Sequence, residues 1–140
     1  MQVQPYLMFE GRCEEALEFY KRSLGAEVVA LKRYSENPDG CASGQPMPPP
    51  DKVMHSALRI GETVVFASDG MCSGKPTFQG FTLSITAASD AEAARLFDAL
   101  GSAGGQVQMP LAKTFFASSF GMLADKFGVS WMILAGLTPE

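Results

Sequence analysis

The chain reads as an α+β protein built from two copies of a β-α-β-β-β module, and three observations predict this. The same order of strand and helix patterns occurs twice along the sequence. The helical stretch Glu15-Ala16-Leu17-Glu18-Phe19-Tyr20 aligns over Glu92-Ala93-Ala94-Arg95-Leu96-Phe97 at an offset of 92 − 15 = 77, close to half of the 140 residues. With 46% hydrophobic and 19% charged residues, the chain has the apolar content for about one domain's core. The reading is therefore one domain of two modules, the first at about 1–70 and the second at about 77–136.

In the first module, the apolar segment Val3 to Phe9 suits a buried strand, and Glu10-Gly11-Arg12 breaks it. A helix follows over Cys13 to Leu24. Ala16, Leu17, Phe19, Tyr20 and Leu24 fall on one side at helical spacing, Glu14 and Glu15 sit in the first turn, and Gly25 stops it. Glu27 to Tyr34 reads as a strand. Ser35 to Pro50 holds five of the nine prolines and reads as a long surface loop. Val53 to Ile60 and Thr63 to Ser68 form a hairpin about Gly61-Glu62.

In the second module, Phe78 to Thr86 reads as a strand. Ser89 caps a helix that runs to Leu100 and ends at Gly101 to Gly105. Gln106 to Met109 is a short strand. A last hairpin runs over Thr114 to Leu123 and Val129 to Leu134, turned by Asp125-Lys126-Phe127-Gly128.

Composition excludes several classes of function. Eleven basic against fifteen acidic residues give a net charge of −4, and no Lys/Arg cluster is present to neutralise phosphates, so nucleic acid is not an expected partner. No run approaches the roughly 20 apolar residues of a membrane span. Cys13, Cys41 and Cys72 are odd in number and widely spaced, and the opening MQVQPYLMF carries no secretory pattern. A reduced, cytoplasmic protein is expected, with each cysteine a small apolar filler.

Three stretches then carry a resemblance: PYLMFEGRCEEALEFYKRSLGAEV, KVMHSALRIGETVVFASD and MPLAKTFFASSFGMLADKFGVSWMI. Their most specific part is PL-x-x-TF-x9-D-x-FG-x2-W, from Pro110 to Trp131. The chain resembles the PhnB-like branch of the vicinal oxygen chelate superfamily, which includes glyoxalase I, bleomycin-resistance proteins and extradiol dioxygenases. The resemblance implies paired βαβββ modules forming a curled mixed sheet around a cleft, with helices on the outer face. Members of this branch often carry a demethylubiquinone methyltransferase label. The sequence has no glycine-rich strand-to-helix nucleotide turn and little room for a methyl-donor domain, so that label carries no weight here.

In metal-dependent relatives, His, Glu or Gln side chains from both modules hold a divalent ion that polarises a carbonyl or enediolate oxygen. Carried over position by position, those ligands fall near Pro5, at Phe66 or Ala67, at about Gly80 and at Met132. None supplies a donor suited to a hard cation, and the nearest carboxylate is Asp69. No metal and no other cofactor is expected.

Strand alternation then assigns side chains to the cleft. Phe81, Leu83 and Ile85 should face the helices, leaving Thr82, Ser84 and Thr86 toward the cleft. His55, Ala57 and Arg59 share one strand face; Met132 shares one with Ser130 and Leu134, and Trp131 falls on the helix side. The expected lining is Leu7, His55, Arg59, Thr82, Ser84 and Met132, a mixture that suits a small organic or anionic ligand. His55 and Arg59 would be its positive groups, although His55 reads equally as a hydrogen-bonded strand residue and Arg59 as a strand end in solvent. Three functions fit: a metal-independent small-molecule-binding protein of the bleomycin-resistance type; a lyase or isomerase with His55 or Asp69 as general base; or an interaction protein with a vestigial cleft. Edge strands that need cover, and the family's habit of pairing modules between chains, predict a homodimer, with Thr114 to Met122 or Val3 to Phe9 contributing to its interface.

Overall fold

The computed structural model describes residues 1–37 and 48–138. The chain divides into two units, Met1–Thr77 and Phe78–Glu140. In the first, β1 (Tyr6–Met8), α1 (Cys13–Leu24), β2 (Glu27–Arg33), β3 (Val53–Ile60) and β4 (Thr63–Ser68) form a four-stranded sheet in the order β1-β4-β3-β2. In the second, β5 (Leu83–Thr86), α2 (Asp90–Leu100), β6 (Gln106–Ala112), β7 (Ala117–Ala124) and β8 (Ser130–Leu137) repeat that order as β5-β8-β7-β6. In each sheet the first and last strands of the module pair in parallel and the other pairs are antiparallel. The fold is α+β in two βαβββ modules, as expected.

The helices form for the reasons read from the sequence. Ala16, Leu17, Phe19 and Tyr20 are buried along α1, which packs on β2 and β3. Gly25 takes a left-handed φ of 65° and donates its N–H to the Lys21 carbonyl, closing the helix end. In α2, Ala93, Leu96, Phe97 and Leu100 are buried against β7 and β8, and the Ser89 hydroxyl accepts the Glu92 N–H at 3.1 Å. The hairpin of β3 and β4 has the expected bounds, with Gly61 at a φ of 59° in its turn.

Several expected boundaries move. The first strand shortens to Tyr6–Met8 and the fifth to Leu83–Thr86. Gly80 adopts a φ of 80°, which breaks the extended path before β5. Phe81 therefore lies outside the strand, 42% exposed and edge-on to Phe78, rather than facing a helix. Strand β6 runs on through Pro110, which is tolerated because β6 is an edge strand. Strand β7 starts only at Ala117, because the Thr114 hydroxyl accepts the N–H groups of Phe116 and Ala117 and turns the chain there. Tyr34–Glu36 forms a short 3-10 turn, and most of the expected loop, with Cys41, lies outside the described residues.

Candidate functional site

Packing fixes which face of each sheet meets its helix. In the first unit the Cys13 sulfur on α1 lies 3.8 Å from the Ser56 hydroxyl, so Ser56 points to the helix. Ser56 pairs with Ala67, and Ala67 with Leu7, which places all three side chains on the helix side. Leu7 is 4% exposed, a core residue, and its assignment to the same face as His55 is corrected. The apolar run around Leu7 offers both faces similar side chains, so alternation had no polar phase to follow.

The opposite face carries Tyr6, His55, Ala57, Arg59 and Phe66. The Tyr6 hydroxyl lies 2.8 Å from His55 Nδ1. The three rings form a tilted cluster with centroid separations of 5.6 Å for Tyr6–His55, 5.8 Å for Tyr6–Phe66 and 5.3 Å for His55–Phe66. Burial, more than any charge, pushes the Tyr6 phenol above its ordinary value, so the hydroxyl keeps its proton at neutral pH. Lys32, exposed on β2, stands opposite His55 in the ladder. Arg59 is on this face but donates to Glu27 Oε2 at 2.9 Å, an exposed ion pair that offsets its charge locally. On this face Lys32 thus joins His55 and Arg59 as a third basic side chain, and Arg59 is the one paired with a carboxylate.

Asp69 is also corrected as a candidate base. It is 1% exposed, and its two oxygens accept the backbone N–H groups of Cys13 at 2.8 Å and Val53 at 2.6 Å. That carboxylate ties the start of α1 to the start of β3 and is spent on structure.

In the second unit a Cβ built on Gly121 would lie 2.7 Å from the Phe97 ring of α2, so Gly121 faces the helix. Its row includes Ile133 and Ile85. The neighbouring rows, Ser84–Met132–Met122–Met109 and Thr86–Leu134–Phe120–Ala112, share the other face. Ser84 and Met132 are adjacent there, Trp131 lies on the helix side, and Thr82 is exposed just before β5. The six residues expected in one lining thus divide as Leu7, His55 and Arg59 in the first unit and Thr82, Ser84 and Met132 in the second.

The positions at which the resemblance implies metal ligands do not fit a divalent ion. Pro5 has no side-chain donor, Gly80 has no side chain, Ala67 is a buried methyl, Phe66 presents a hydrocarbon ring and Met132 a soft thioether. Among the described residues, no three His, Cys, Asp or Glu side chains gather closely enough to hold a metal.

A family model described as 3-demethylubiquinone-9 3-methyltransferase matches residues 1–134. The chain belongs to this PhnB-like family. Protein YjdN of Escherichia coli (strain K12) is 39% identical over 140 residues, covering 95% of this chain and 94% of that protein. The crystal structure of protein PA1353 from Pseudomonas aeruginosa is 39% identical with a TM-score of 0.82, covering 97% of this chain and 98% of that one. A putative 3-demethylubiquinone-9 3-methyltransferase, PhnB protein, from Bacillus cereus is 30% identical with a TM-score of 0.78, covering 97% and 100%. The fold alone extends to a glyoxylase/bleomycin resistance protein/dioxygenase domain from Frankia, 15% identical with a TM-score of 0.63 over 96% and 94%.

Proposed function

We infer that this PhnB-like chain is a metal-independent small-molecule-binding protein of the glyoxalase and bleomycin-resistance type, cytoplasmic and homodimeric, with its ligand on the helix-free face of the first sheet. The Tyr6–His55–Phe66 cluster carries the reading. Half-buried rings beside a hydrogen-bonded imidazole supply apolar contact area together with a polar group that orients a guest. Methyl transfer is not our reading. Helix α1 joins β1 to β2, which lie at opposite edges of their sheet, so it is not the crossover between adjacent parallel strands that builds a nucleotide-type site.

The test is elemental analysis of the purified chain together with a thermal-shift panel of aromatic, aliphatic, anionic and neutral small molecules. The expected result is no stoichiometric metal and stabilisation by some aromatic members. A stoichiometric divalent ion, lost to a chelator along with the stabilisation, overturns the metal-independent part; a panel with no binder overturns the binding part. Sedimentation at a single chain's mass would remove the dimer.

A further inference from the structure

We propose that the Tyr6–His55 pair is polarised in one direction, with Tyr6 donating to Nδ1 and His55 presenting Nε2–H, and that this face therefore selects planar conjugated anions. The inference rests on the small-molecule reading above and names the ligand class of the same site.

The direction follows from the chemistry of the two groups. A phenol O–H is the stronger donor and its oxygen a weak acceptor, whereas the bare ring nitrogen of an imidazole carries a localised lone pair and is the better acceptor. At 2.8 Å the hydroxyl and Nδ1 share one hydrogen, which belongs on the tyrosine oxygen. A neutral imidazole that accepts at Nδ1 carries its own hydrogen at Nε2. The side chain thus offers the ligand a donor and no acceptor.

Three further features narrow the guest. Phe66 and the faces of Tyr6 and His55 provide ring surface within 6 Å of one another, which favours a flat conjugated body over a saturated one. Lys32 stands across the ladder from His55 and adds a positive charge on the same face. Glu27, a carboxylate on that face, is paired with Arg59, so its repulsion of an anion is offset. An aromatic carboxylate meets all three conditions: its ring lies on the cluster, and one oxygen accepts from Nε2–H beside the Lys32 ammonium.

The experiment uses the full chain at neutral pH and low salt. Nitrogen-15 spectra of the single histidine report its tautomer, and titrations compare 2-naphthoate, its neutral amide 2-naphthamide and the saturated cyclohexanecarboxylate. The expected result is hydrogen on Nε2, with 2-naphthoate shifting the His55 resonances and binding about tenfold more tightly than either analogue, a difference appropriate to one charge-assisted hydrogen bond. His55→Phe, which keeps the ring and removes the donor, should abolish the preference over the amide. Lys32→Gln should reduce it severalfold and serves as the second variant should His55→Phe fold poorly. Hydrogen on Nδ1, or naphthoate and naphthamide binding equally, overturns this inference and leaves the small-molecule reading standing. If none of the three binds and the broader panel is also silent, both are overturned.

Discussion

The two modules share a strand order yet hold the amino ends of their helices by different means. Helix α2 is capped from within: Ser89, its own N-cap, accepts the Glu92 N–H three residues on. Helix α1 has Arg12 at the equivalent place, with no side-chain cap, and its first N–H is taken by Asp69 from 56 residues away. The second oxygen of Asp69 also holds Val53, so one buried carboxylate joins a helix start to a strand start. The difference teaches that a repeated topology does not repeat its supports. An orphan N–H must find an acceptor, and a local hydroxyl and a distant carboxylate solve the same problem with very different reach.

That contrast can be broken. Asp69→Ala leaves two buried N–H groups without acceptors and should cost roughly 3 to 5 kcal/mol in denaturant unfolding. If it costs no more than loss of the local cap, the contrast is wrong. Gly121→Ala probes helix seating in the second module. Its Cβ would press on the Phe97 ring and on Leu111, and a loss of about 1 to 3 kcal/mol is expected. Ser89→Ala should cost about 1 kcal/mol, the usual worth of an N-cap.

The smallest expected effect concerns pH. The hydroxyls of Ser118 and Ser119, as hydrogen-bond donors, hold the Asp90 carboxyl below the ordinary aspartate value. A carboxyl lowered in the folded state contributes stability in full above its unfolded value and loses it as pH falls through the folded one. Replacing both serines by alanine should move the Asp90 carbon-13 titration upward, toward the ordinary value, and slightly shift the acid limb of unfolding to higher pH. An unmoved titration would show that these bonds do not hold the carboxylate.

Local signals were legible in the sequence, and long-range pairings were not. Helices α1 and α2 and the β3–β4 hairpin stand where helical periodicity, Ser89, Gly25 and Gly61 place them, because caps and turns act over a few residues. The facing of Ser84 and Met132 away from the helix, and of Trp131 toward it, follows from plain alternation in β5 and β8, whereas their lying side by side does not. Leu7 was misplaced because Tyr6, Leu7 and Met8 are all apolar or amphipathic and leave the phase undetermined. The neighbouring of Lys32 and His55 was hidden by the long connection between β2 and β3 and by register shifts at Val28/Ala30 and Lys32/Arg33, which alternation does not count. The Tyr6–His55–Phe66 cluster draws one residue from each of three strands, and its signal, an amphipathic tyrosine at the start of an apolar run, is too common to stand out. Asp69 sits next to a strand end like any turn aspartate, and its two partners are 56 and 16 residues away.

The parallel pairing of β1 with β4 has a consequence for how the chain is made. Tyr6 meets Phe66, a separation of 66 − 6 = 60 residues, whereas Leu83 meets Trp131 across 131 − 83 = 48. In synthesis β1 precedes its only ladder partner among the described residues, β4, by the whole of α1, β2 and β3, so its pairing must wait for them. Closing so long a loop for one short parallel ladder is slow relative to hairpin formation. The separation predicts that the strand lending Tyr6 to the aromatic cluster is secured after the β3–β4 hairpin, which pulsed hydrogen exchange during refolding would check by later protection of Leu7 than of Leu58.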